Sequence, residues 1–368
     1  MSTAVKYFDS TMSGAPSLSN TAGALIGVLD ACLVDGFGSV TVDSLVVASD
    51  VATATVSAGH QFAMVGSTGP VITISGASPS GLNGEWRVTV TSSTVFTFVT
   101  SGISDQTATG TISAKRAGAG FSKAFSGTDK AVYRSDDITG TRLFCRIDDA
   151  YTTYARIRGY EAMDDVDTVT DGYGVFPTDA QLSGGGYVYK ATGSPRLWSL
   201  YSDGRMIYFF CDANNNDSWN GGFVFGDIDS YVVSDAFGCV LISATSIGGS
   251  LQLYLLTSSS ASYMARNYTQ VGGSVTSMRY SHSKYDNIGY GYQAYPALAD
   301  NRLHLWPIEC WDGSVNAHGM MPGLWNPIHF GDTPHGLIVD DIPNLPGRTL
   351  KVQSMVRSCV IDLTGPWR

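Results

Sequence analysis

The segment from about residue 44 to 115 consists of short runs in which Val, Ile, Thr and Phe alternate with small or polar residues. These runs read VATATVS, GPVITIS, GEWRVTVT, VFTFVTS and ATGTISAK, and loops rich in Gly, Ser and Asn separate them. Such alternation, with turns about every 8–12 residues, is typical of a small sandwich or barrel. The pattern therefore predicts a compact β unit, and its stretch from 74 to 98 carries no group expected to perform chemistry.

Composition extends this prediction to the rest of the chain. Charged residues are only 15% of the 368 positions, whereas ~25% is typical of soluble domains. The net charge of −10 comes almost wholly from Asp, because Glu occurs only at Glu85, Glu161 and Glu309. Asp favours turns, so the mix favours antiparallel sheets over helical bundles. The 22 Lys and Arg are scattered, which argues against nucleic-acid binding.

One amphipathic helix is predicted over about residues 19–35, where apolar residues recur with helical spacing. The residues that share its apolar face are Leu25, Ile26, Leu29 and Leu33. Ser19 or Asn20 can cap its start, and Gly36 supplies a left-handed residue to end it. Residues 176–182 predict a second, minor helix.

The remainder of the chain predicts further strands joined by short loops, and therefore an antiparallel architecture and not a doubly wound one. Residues 141–163 predict two strands around the turn DDAYT. Asp203–Gly204 marks the bend of the clearest hairpin, and Asn83–Gly84 predicts another tight turn. More strands are predicted at 222–225, 237–244, 251–256, 261–268, 287–293 and 302–306.

These patterns predict two units. Residues 44–115 would form a small β-sandwich or barrel module, inserted into a main β-rich domain made of residues 1–43 and 116–368. A surface loop tolerates such an insertion when the ends of the inserted unit lie close together. The expected fold is mostly β, with an antiparallel sandwich-like core and one N-terminal helix.

The chain shows no targeting or membrane segment. Its longest apolar run, at 237–244, is far shorter than the ~20 residues needed to span a bilayer. The start lacks the basic and apolar regions of a signal peptide, so we expect assembly in a cytoplasm.

The six cysteines form no CxxC pair, and we expect buried, reduced thiols. They are Cys32, Cys145, Cys211, Cys239, Cys310 and Cys359.

Two loops resemble metal sites, although a polar surface loop is the favoured interpretation of both. Asp212, Asn214 and Asn216 match the opening of a calcium loop, but Asp217 replaces the required glycine and no Glu follows at the twelfth position. The second loop holds His329, Asp332 and His335, and no further strong ligand follows with regular spacing. We therefore expect no metal and no cofactor.

Familiar catalytic motifs are missing as well. Polysaccharide cleavage would need two opposed carboxyl groups, and adjacent Asp residues on one strand point to opposite faces. The residues whose positions test this possibility are Asp212, Asp217, Asp227 and Asp229.

Aromatic residues are also typical of interfaces, which is the favoured use here. The interface candidates are Trp219, Trp311, Trp325, Trp367, Arg142, Arg146, Arg156 and Arg158. The arginines could pair with Asp of a neighbouring copy.

The segment from VATATVSAGHQF through GLNGEWRVTVTSSTVFTF to GTISAKRA resembles a small β module that recurs in virion proteins of tailed bacteriophages. Flanking pieces are similar to one structural family of long-tailed phages, including Mu-like siphophages. These pieces read KYFDSTMSGAPSLSNTAGALIGVLDACLVDGFG, YEAMDDVDT, MPGLWNPIH, LPGRTL and VIDLTGPWR. Residues 185–300 are less characteristic. The resemblance implies a tail-tip or baseplate position and no catalytic residue.

Three hypotheses follow, in order of preference. The first is a non-enzymatic component of the tail tip or baseplate of the virion, which links the tail core to receptor-binding parts. Its partners would be other tail proteins and further copies of itself in a trimer or ring. The second is a host-attachment protein that recognises cell-surface polysaccharide or pili, and the third is a polysaccharide-degrading tail enzyme. Under the first hypothesis, loss of residues 364–368 should block assembly and leave the isolated domain folded.

Overall fold

The fold is mostly β, with large antiparallel sheets and one short helix, as predicted at that level. The computed structural model describes residues 4–168, 174–193, 195–253, 260–280, 303–314, 316–327, 334–340, 342, 345–353, 355 and 358–368. The strand predicted at 287–293 lies outside these residues. No helix in the described ranges has the length and apolar character needed to cross a membrane.

The elements of the first third of the chain include the helix and two families of strands. In chain order they are β1 (Lys6–Asp9), α1 (Ala24–Leu29), β2 (Phe37–Thr41), β3 (Ser44–Ala48), β4 (Val51–Thr55), β5 (Val71–Ser75), β6 (Gly84–Arg87), β7 (Thr89–Val90), β8 (Val95–Val99), β9 (Gln106–Thr107) and β10 (Ser113–Arg116). A π-helical segment, Asp30–Asp35, continues α1, and a short 3₁₀ turn occupies Ser80–Leu82.

The remaining described elements are all strands. They are β11 (Phe121–Gly127), β12 (Lys130–Ser135), β13 (Phe144–Asp148), β14 (Tyr154–Tyr160), β15 (Val175–Phe176), β16 (Gly186–Tyr189), β17 (Trp198–Ser202), β18 (Met206–Cys211), β19 (Gly221–Asp227), β20 (Asp229–Ser230), β21 (Cys239–Ala244), β22 (Ser260–Met264), β23 (Val275–Tyr280), β24 (Leu305–Asp312), β25 (Ala317–Pro327), β26 (Ile338–Val339), β27 (Leu350–Gln353) and β28 (Cys359–Asp362).

The helix starts later than predicted because its cap comes from elsewhere in the chain. Gly23 precedes it with φ 76°, and no side chain of the preceding segment caps it. Instead Oδ2 of Asp149 accepts hydrogen bonds from the backbone N–H groups of Leu25 at 2.7 Å and Ile26 at 3.3 Å. A carboxylate between β13 and β14 thus replaces the predicted cap at Ser19 or Asn20.

The apolar face and the end of the helical segment match the prediction more closely. Leu25, Leu29 and Leu33 are fully buried, whereas Ile26 is only partly buried. Gly36 ends the segment with φ 72°, and a Cβ there would fall 2.0 Å from the carbonyl oxygen of Arg116. Only glycine fits this position, because the backbone here is left-handed and any Cβ would collide with the Arg116 carbonyl.

The large sheet is continuous and antiparallel in every described pairing. Strands β11 to β14 form a meander, and β16 connects β14 to β21. From β21 the sheet continues on one side through β19, β18 and β17 to β1, and on the other through β22, β23 and β24 to β25. The hairpin bend at Asp203–Gly204 is confirmed between β17 and β18.

Nine strands between Phe37 and Arg116 form two further sheets of their own. Four of them make one sheet in the order β2-β10-β5-β6, and five make another in the order β7-β8-β4-β3-β9. The two sheets share one apolar core, which includes Leu45, Ile72 and Phe96. The chain enters and leaves this unit on paired strands, since β2 lies antiparallel to β10.

Several local predictions need correction. Asn83–Gly84 is not a two-residue hairpin turn, because Asn83 bonds through its side chain to both the backbone N–H and the carbonyl of Ala77, at 2.8 Å each. Residues 176–182 form the end of β15 and a turn, and no helix. The strand predicted at 302–306 overlaps β24 only at residues 305 and 306, which are the first two residues of β24. The strands predicted at 222–225 and 237–244 are observed as β19 and β21, and β22 covers only the first half of the strand predicted at 261–268. Residues 251–253 form no strand, and the rest of the strand predicted at 251–256 lies outside the described residues.

The six cysteines are free and buried, as predicted. Burial raises the pKa of each thiol above its ordinary value. A thiol held in its neutral form is a poor nucleophile and a poor metal ligand, so these side chains act as small apolar groups in the core.

The small unit is bound to the large sheet by charged side chains. The guanidinium of Arg87 donates to the carbonyl oxygens of Gly69 at 2.8 Å, Val5 at 3.1 Å and Thr364 at 3.1 Å. Beside it, Lys6 of β1 pairs with Glu85 of β6 at 2.7 Å. Arg87 therefore joins its own unit to segments from both ends of the sequence.

A hydroxyl network makes a second attachment. Ser67 donates to Oδ1 of Asp340 at 2.9 Å, and the Thr68 hydroxyl lies 2.9 Å from the hydroxyls of both Thr349 and Thr364. These groups lie at the side of the unit that faces β27 and β28. The small unit is therefore docked at several points and is not held by its two connecting strands alone.

Candidate functional site

Two adjoining cavities lie where β1, the small unit and β27 meet. The larger has a volume of about 310 Å³ and reaches Arg87 and Arg116 of the small unit. The smaller has a volume of about 200 Å³ and lies against the large sheet. Tyr7, Asp9 and Thr11 line both, so the cavities meet along β1 and the residues that follow it. We call the smaller cavity the β1–β27 cleft.

A chain of polar groups crosses this cleft. Lys351 donates a hydrogen bond to the Tyr7 hydroxyl, and its ammonium lies 4.1 Å from the centre of the Tyr7 ring. Tyr7 in turn donates to Oδ2 of Asp9 at 2.6 Å. The other Asp9 oxygen accepts from the N–H and hydroxyl of Thr11, at 2.8 and 2.5 Å. Tyr201 stacks on Tyr7 at 4.9 Å, so the phenol ring is held between two neighbours.

Lys351 differs from four of the other described lysines in having no acidic partner within the described ranges. Lys6, Lys123, Lys130 and Lys190 each form an ion pair with a carboxylate. Lys351 has no carboxylate oxygen within 4.0 Å among the described residues. Burial accordingly lowers its pKa to about 8, although the negative charge of Asp9 acts in the opposite direction.

The far wall of the cleft is aromatic. Trp219 is 5% exposed, and its ring stacks on the ring of His335 with centres 4.8 Å apart. Trp219 also has φ 44°, a backbone conformation that costs a bulky residue about 1–3 kcal/mol. Partial burial and the positive charge of Lys351 lower the pKa of His335. A strained aromatic residue and two basic groups thus face one small cavity.

The outer face of the five-stranded sheet is a second candidate surface. Pairing places Val51 opposite Val99, and it places Thr53 opposite both Val46 and Thr97. Residues on the same face of the five strands, which we call the Val–Thr face, are Ser44, Val46, Ala48, Val51, Thr53, Thr55, Thr89, Val95, Thr97, Val99 and Thr107. None of them is charged.

Three of the four valines on the Val–Thr face are exposed to solvent. Val46, Val51 and Val99 have exposed fractions of 37%, 39% and 74%. The acidic residues of this sheet, Asp43, Asp50 and Asp105, lie outside the strands, beside the strand ends. An uncharged centre with a polar rim is the arrangement found in protein interfaces.

Trp311, one of the predicted interface residues, belongs to a third surface on β24. Its indole N–H donates to Oε2 of Glu309 at 3.0 Å, and the Tyr231 hydroxyl donates to Oε1 at 2.9 Å. Partial burial and the bond to Glu309 raise the pKa of Tyr231 to about 12. Glu309 therefore orients two partly exposed aromatic rings, and Val233, two positions after Tyr231 in the sequence, is 91% exposed.

The other predicted tryptophans lie within the chain's own packing. Trp219 lines the cleft, and Trp325 packs in the apolar cluster around β27 and β28. Trp367 donates to the carbonyl of Asp362 at 3.0 Å, and its ring centre lies 5.4 Å from that of Tyr208. A Cβ at Gly323 would fall 2.2 Å from its indole nitrogen.

The four predicted arginines are engaged inside the chain. Arg146 lies directly opposite Arg158 on β13 and β14, and each has an acidic partner, Asp167 and Asp179 respectively. Arg156 lies over the ring of Tyr187 at 3.6 Å. Arg142 lies outside β13 with φ 55°, and its Nε donates to the carbonyl of Ser135 at 3.0 Å.

The carboxylates considered for glycan cleavage do not form one opposed set. Asp212 follows β18 at one end of the β18–β19 hairpin, and Asp227 ends β19 at the other, roughly 20 Å away. Asp212 accepts from the N–H groups of Asn216 and Asp217, which makes a closed polar loop. Asp227 is buried and bonded to the Thr141 hydroxyl, and Asp229 is exposed.

No group of three or more His, Cys, Asp or Glu side chains within the described ranges is arranged to hold a metal ion. His329 and Asp332, two of the three residues considered for a metal, lie outside those ranges. His335, the third, lines the β1–β27 cleft.

Comparison with known proteins adds no relative. No protein-family model matches the chain, and no curated protein is significantly similar to it. The interpretation of the site therefore depends on its own geometry.

Sequence reasoning missed most of the cleft. Tyr7, Asp9, Lys351 and Gln353 come from distant parts of the sequence, and none belongs to a motif with a chemical role. Only Trp219 and His335 had been singled out, for other reasons. The available signal was weak, because a strand that begins Lys-Tyr-Phe-Asp resembles any other amphipathic strand.

Proposed function

We propose that the protein is a non-enzymatic structural component of a bacteriophage tail tip or baseplate. In this role it links the tail core to receptor-binding parts, in contact with other tail proteins and with further copies of itself. It would be assembled in the host cytoplasm and reside in the virion. Residues 44–115 act in this proposal as an inserted, sandwich-like β module on a main β-rich domain.

The observation that carries the proposal is the Val–Thr face. A chain with a net charge of −10 repels its own copies and other acidic proteins. An uncharged sheet face with three exposed valines is a surface on which such a chain can be covered by a neighbour without that repulsion. The half-exposed Trp311 and Tyr231 supply a second contact of the residue types enriched in interfaces.

The test is a double substitution, Val46→Asp with Val99→Asp, in the phage genome that encodes the chain. Two carboxylates buried in a contact are strongly unfavourable, so we expect incorporation into purified particles to fall by about tenfold or more. Immunoblots of particles measure this, and circular dichroism of the isolated protein checks its folding. The control is Val271→Asp, at a 69%-exposed valine outside the sheet.

Absence of the wild-type chain from purified particles would refute the proposal. Equal incorporation of the double variant and the control would show that the Val–Thr face is not the contact.

A host-attachment role is the second candidate, and the β1–β27 cleft favours it. The cleft combines aromatic side chains with Lys351, Asp9 and Gln353, which is the mixture of groups that recognises polar ligands. Cryo-electron microscopy of particles would separate the two roles by locating the chain within the tail or at a fibre end.

A further inference from the structure

We propose that the β1–β27 cleft binds an oxyanion, namely a carboxylate, phosphate or sulfate group, through the ammonium of Lys351 and the imidazole of His335. This inference goes beyond the assembly role and does not depend on it. Only the suggestion that an acidic surface glycan supplies the group rests on the host-attachment candidate.

The first argument is the unsatisfied charge of Lys351. A partly buried ammonium normally has a carboxylate partner, as the other ion-paired lysines of this chain do. Lys351 instead donates to a neutral phenol and has no carboxylate within 4.0 Å in the described part of the chain. An ammonium has three donors, and only one is used by Tyr7. Two donors remain beside a cavity of about 200 Å³.

The second argument is the balance of charges around the cleft. The cation is Lys351, because the lowered pKa of His335 leaves its imidazole a neutral hydrogen-bonding group at pH 7, and the acidic groups nearby are Asp9 on β1 and Asp217 near His335. Asp9 already accepts three hydrogen bonds, from Tyr7 and Thr11, and Asp217 is exposed to solvent. Neither forms an ion pair with Lys351, so an arriving anion would be its first anionic partner in the described part of the chain.

The third argument concerns pre-organisation. Tyr7 is held between Lys351 and Tyr201, and Trp219 holds His335 by stacking in a strained backbone conformation. Groups held in place before binding lose little freedom when a ligand arrives. Strain of this kind also persists chiefly at ligand clamps and other functional positions.

Calorimetric titration of the full chain with sodium sulfate, glucuronate and glucose tests the proposal. Sulfate and glucuronate keep a constant charge between pH 6 and 10, and glucose matches glucuronate in shape without the charge. We expect sulfate, glucuronate or both to bind at pH 7 and glucose not to bind. Binding of glucuronate alone would assign the site to an acidic sugar, and binding of sulfate alone to a free inorganic anion.

The substitution Lys351→Gln should weaken binding by about tenfold or more, since a charge-assisted bond is lost. Lys115→Gln is the control, because Lys115 is a half-exposed lysine of the small unit that does not line the cleft. If Lys351→Gln fails to fold, the wild type decides through pH. The pKa of Lys351 is about 8, so affinity should fall at higher pH as the amine loses its proton.

Three results would overturn the inference: binding of glucose as tight as glucuronate, no binding of either anion at 10 mM (~10⁻² M, a free energy near −3 kcal/mol), or an affinity unchanged between pH 7 and 10. None of these bears on incorporation into particles, so failure here and failure of the assembly proposal are separate outcomes.

Discussion

At the scale of single residues, the buried pair of Asp149 and Lys190 has the largest structural role outside the cleft. Both side chains are fully buried and form an ion pair. Asp149 also caps α1, and Lys190 donates to the carbonyl of Thr21 at 2.8 Å. Burial raises the pKa of Asp149, while Lys190 and the helix N–H groups oppose that shift. The pair therefore anchors the helix to the hairpin of β13 and β14.

We predict that Asp149→Ala lowers the free energy of unfolding by about 3–5 kcal/mol, because it leaves the charge of Lys190 buried without a partner. Urea denaturation measures the loss. Asp167→Ala is the control: solvent can replace the carboxylate at its half-exposed partner Lys130, and its other partner, Arg146, keeps Asp148 at 3.6 Å. Similar losses in both variants would contradict the role assigned to the buried pair.

At the scale of elements, the C-terminal segment 364–368 belongs to the fold itself. Arg368 donates to the carbonyl of Asp227 at 2.9 Å, and Trp367 packs on Tyr208. Thr364 bonds to Thr68 of the small unit. The expectation that this segment can be deleted without loss of folding therefore needs revision, because its contacts are internal to the chain.

We predict that Trp367→Ala lowers the free energy of unfolding by about 2 kcal/mol, less than the 3–5 typical of a fully buried aromatic residue. Thermal unfolding followed by circular dichroism measures the change. The 40%-exposed Trp306 provides the comparison, since Trp306→Ala removes a ring that already contacts solvent. A stability equal to that of the wild type would return Trp367 to the list of interface candidates.

Elements also show what the sequence could predict. Strands such as β13 and β18 were found because each carries a local signal beside a recognisable turn: β13 alternates apolar and charged residues from Cys145 to Asp148, and β18 is an unbroken apolar run. The start of α1 was misplaced because its cap, Asp149, lies 124 positions away in sequence. The cleft was missed for the same reason: pairing joins β1 to β17, and side-chain contacts bring β27 against both, which no local pattern encodes.

At the scale of the whole molecule, docking of the small unit depends on Arg87. Its guanidinium joins Gly69, Val5 and Thr364, so one side chain connects three segments. We predict that Arg87→Ala loosens the unit and makes the loops between Phe37 and Arg116 more sensitive to limited proteolysis.

The matched control is Arg156→Ala. This arginine also donates to backbone carbonyls, including that of Gly184 at 3.0 Å, but it does so within the large sheet. Mass spectrometry of early fragments locates the cuts. Equal protection in the Arg87 variant and the wild type would show that the remaining contacts suffice.

The several attachments of the small unit have a mechanical consequence. If the small unit were joined to the large sheet only through the chain at β2 and β10, a pull on its outer face would break the hydrogen bonds between these two strands one after another. Arg87, the pair of Lys6 and Glu85, and the hydroxyls around Thr349 make further contacts beside that connection. Because these contacts lie side by side, a pulling force is shared among them. We therefore expect the small unit to detach only when several contacts break together.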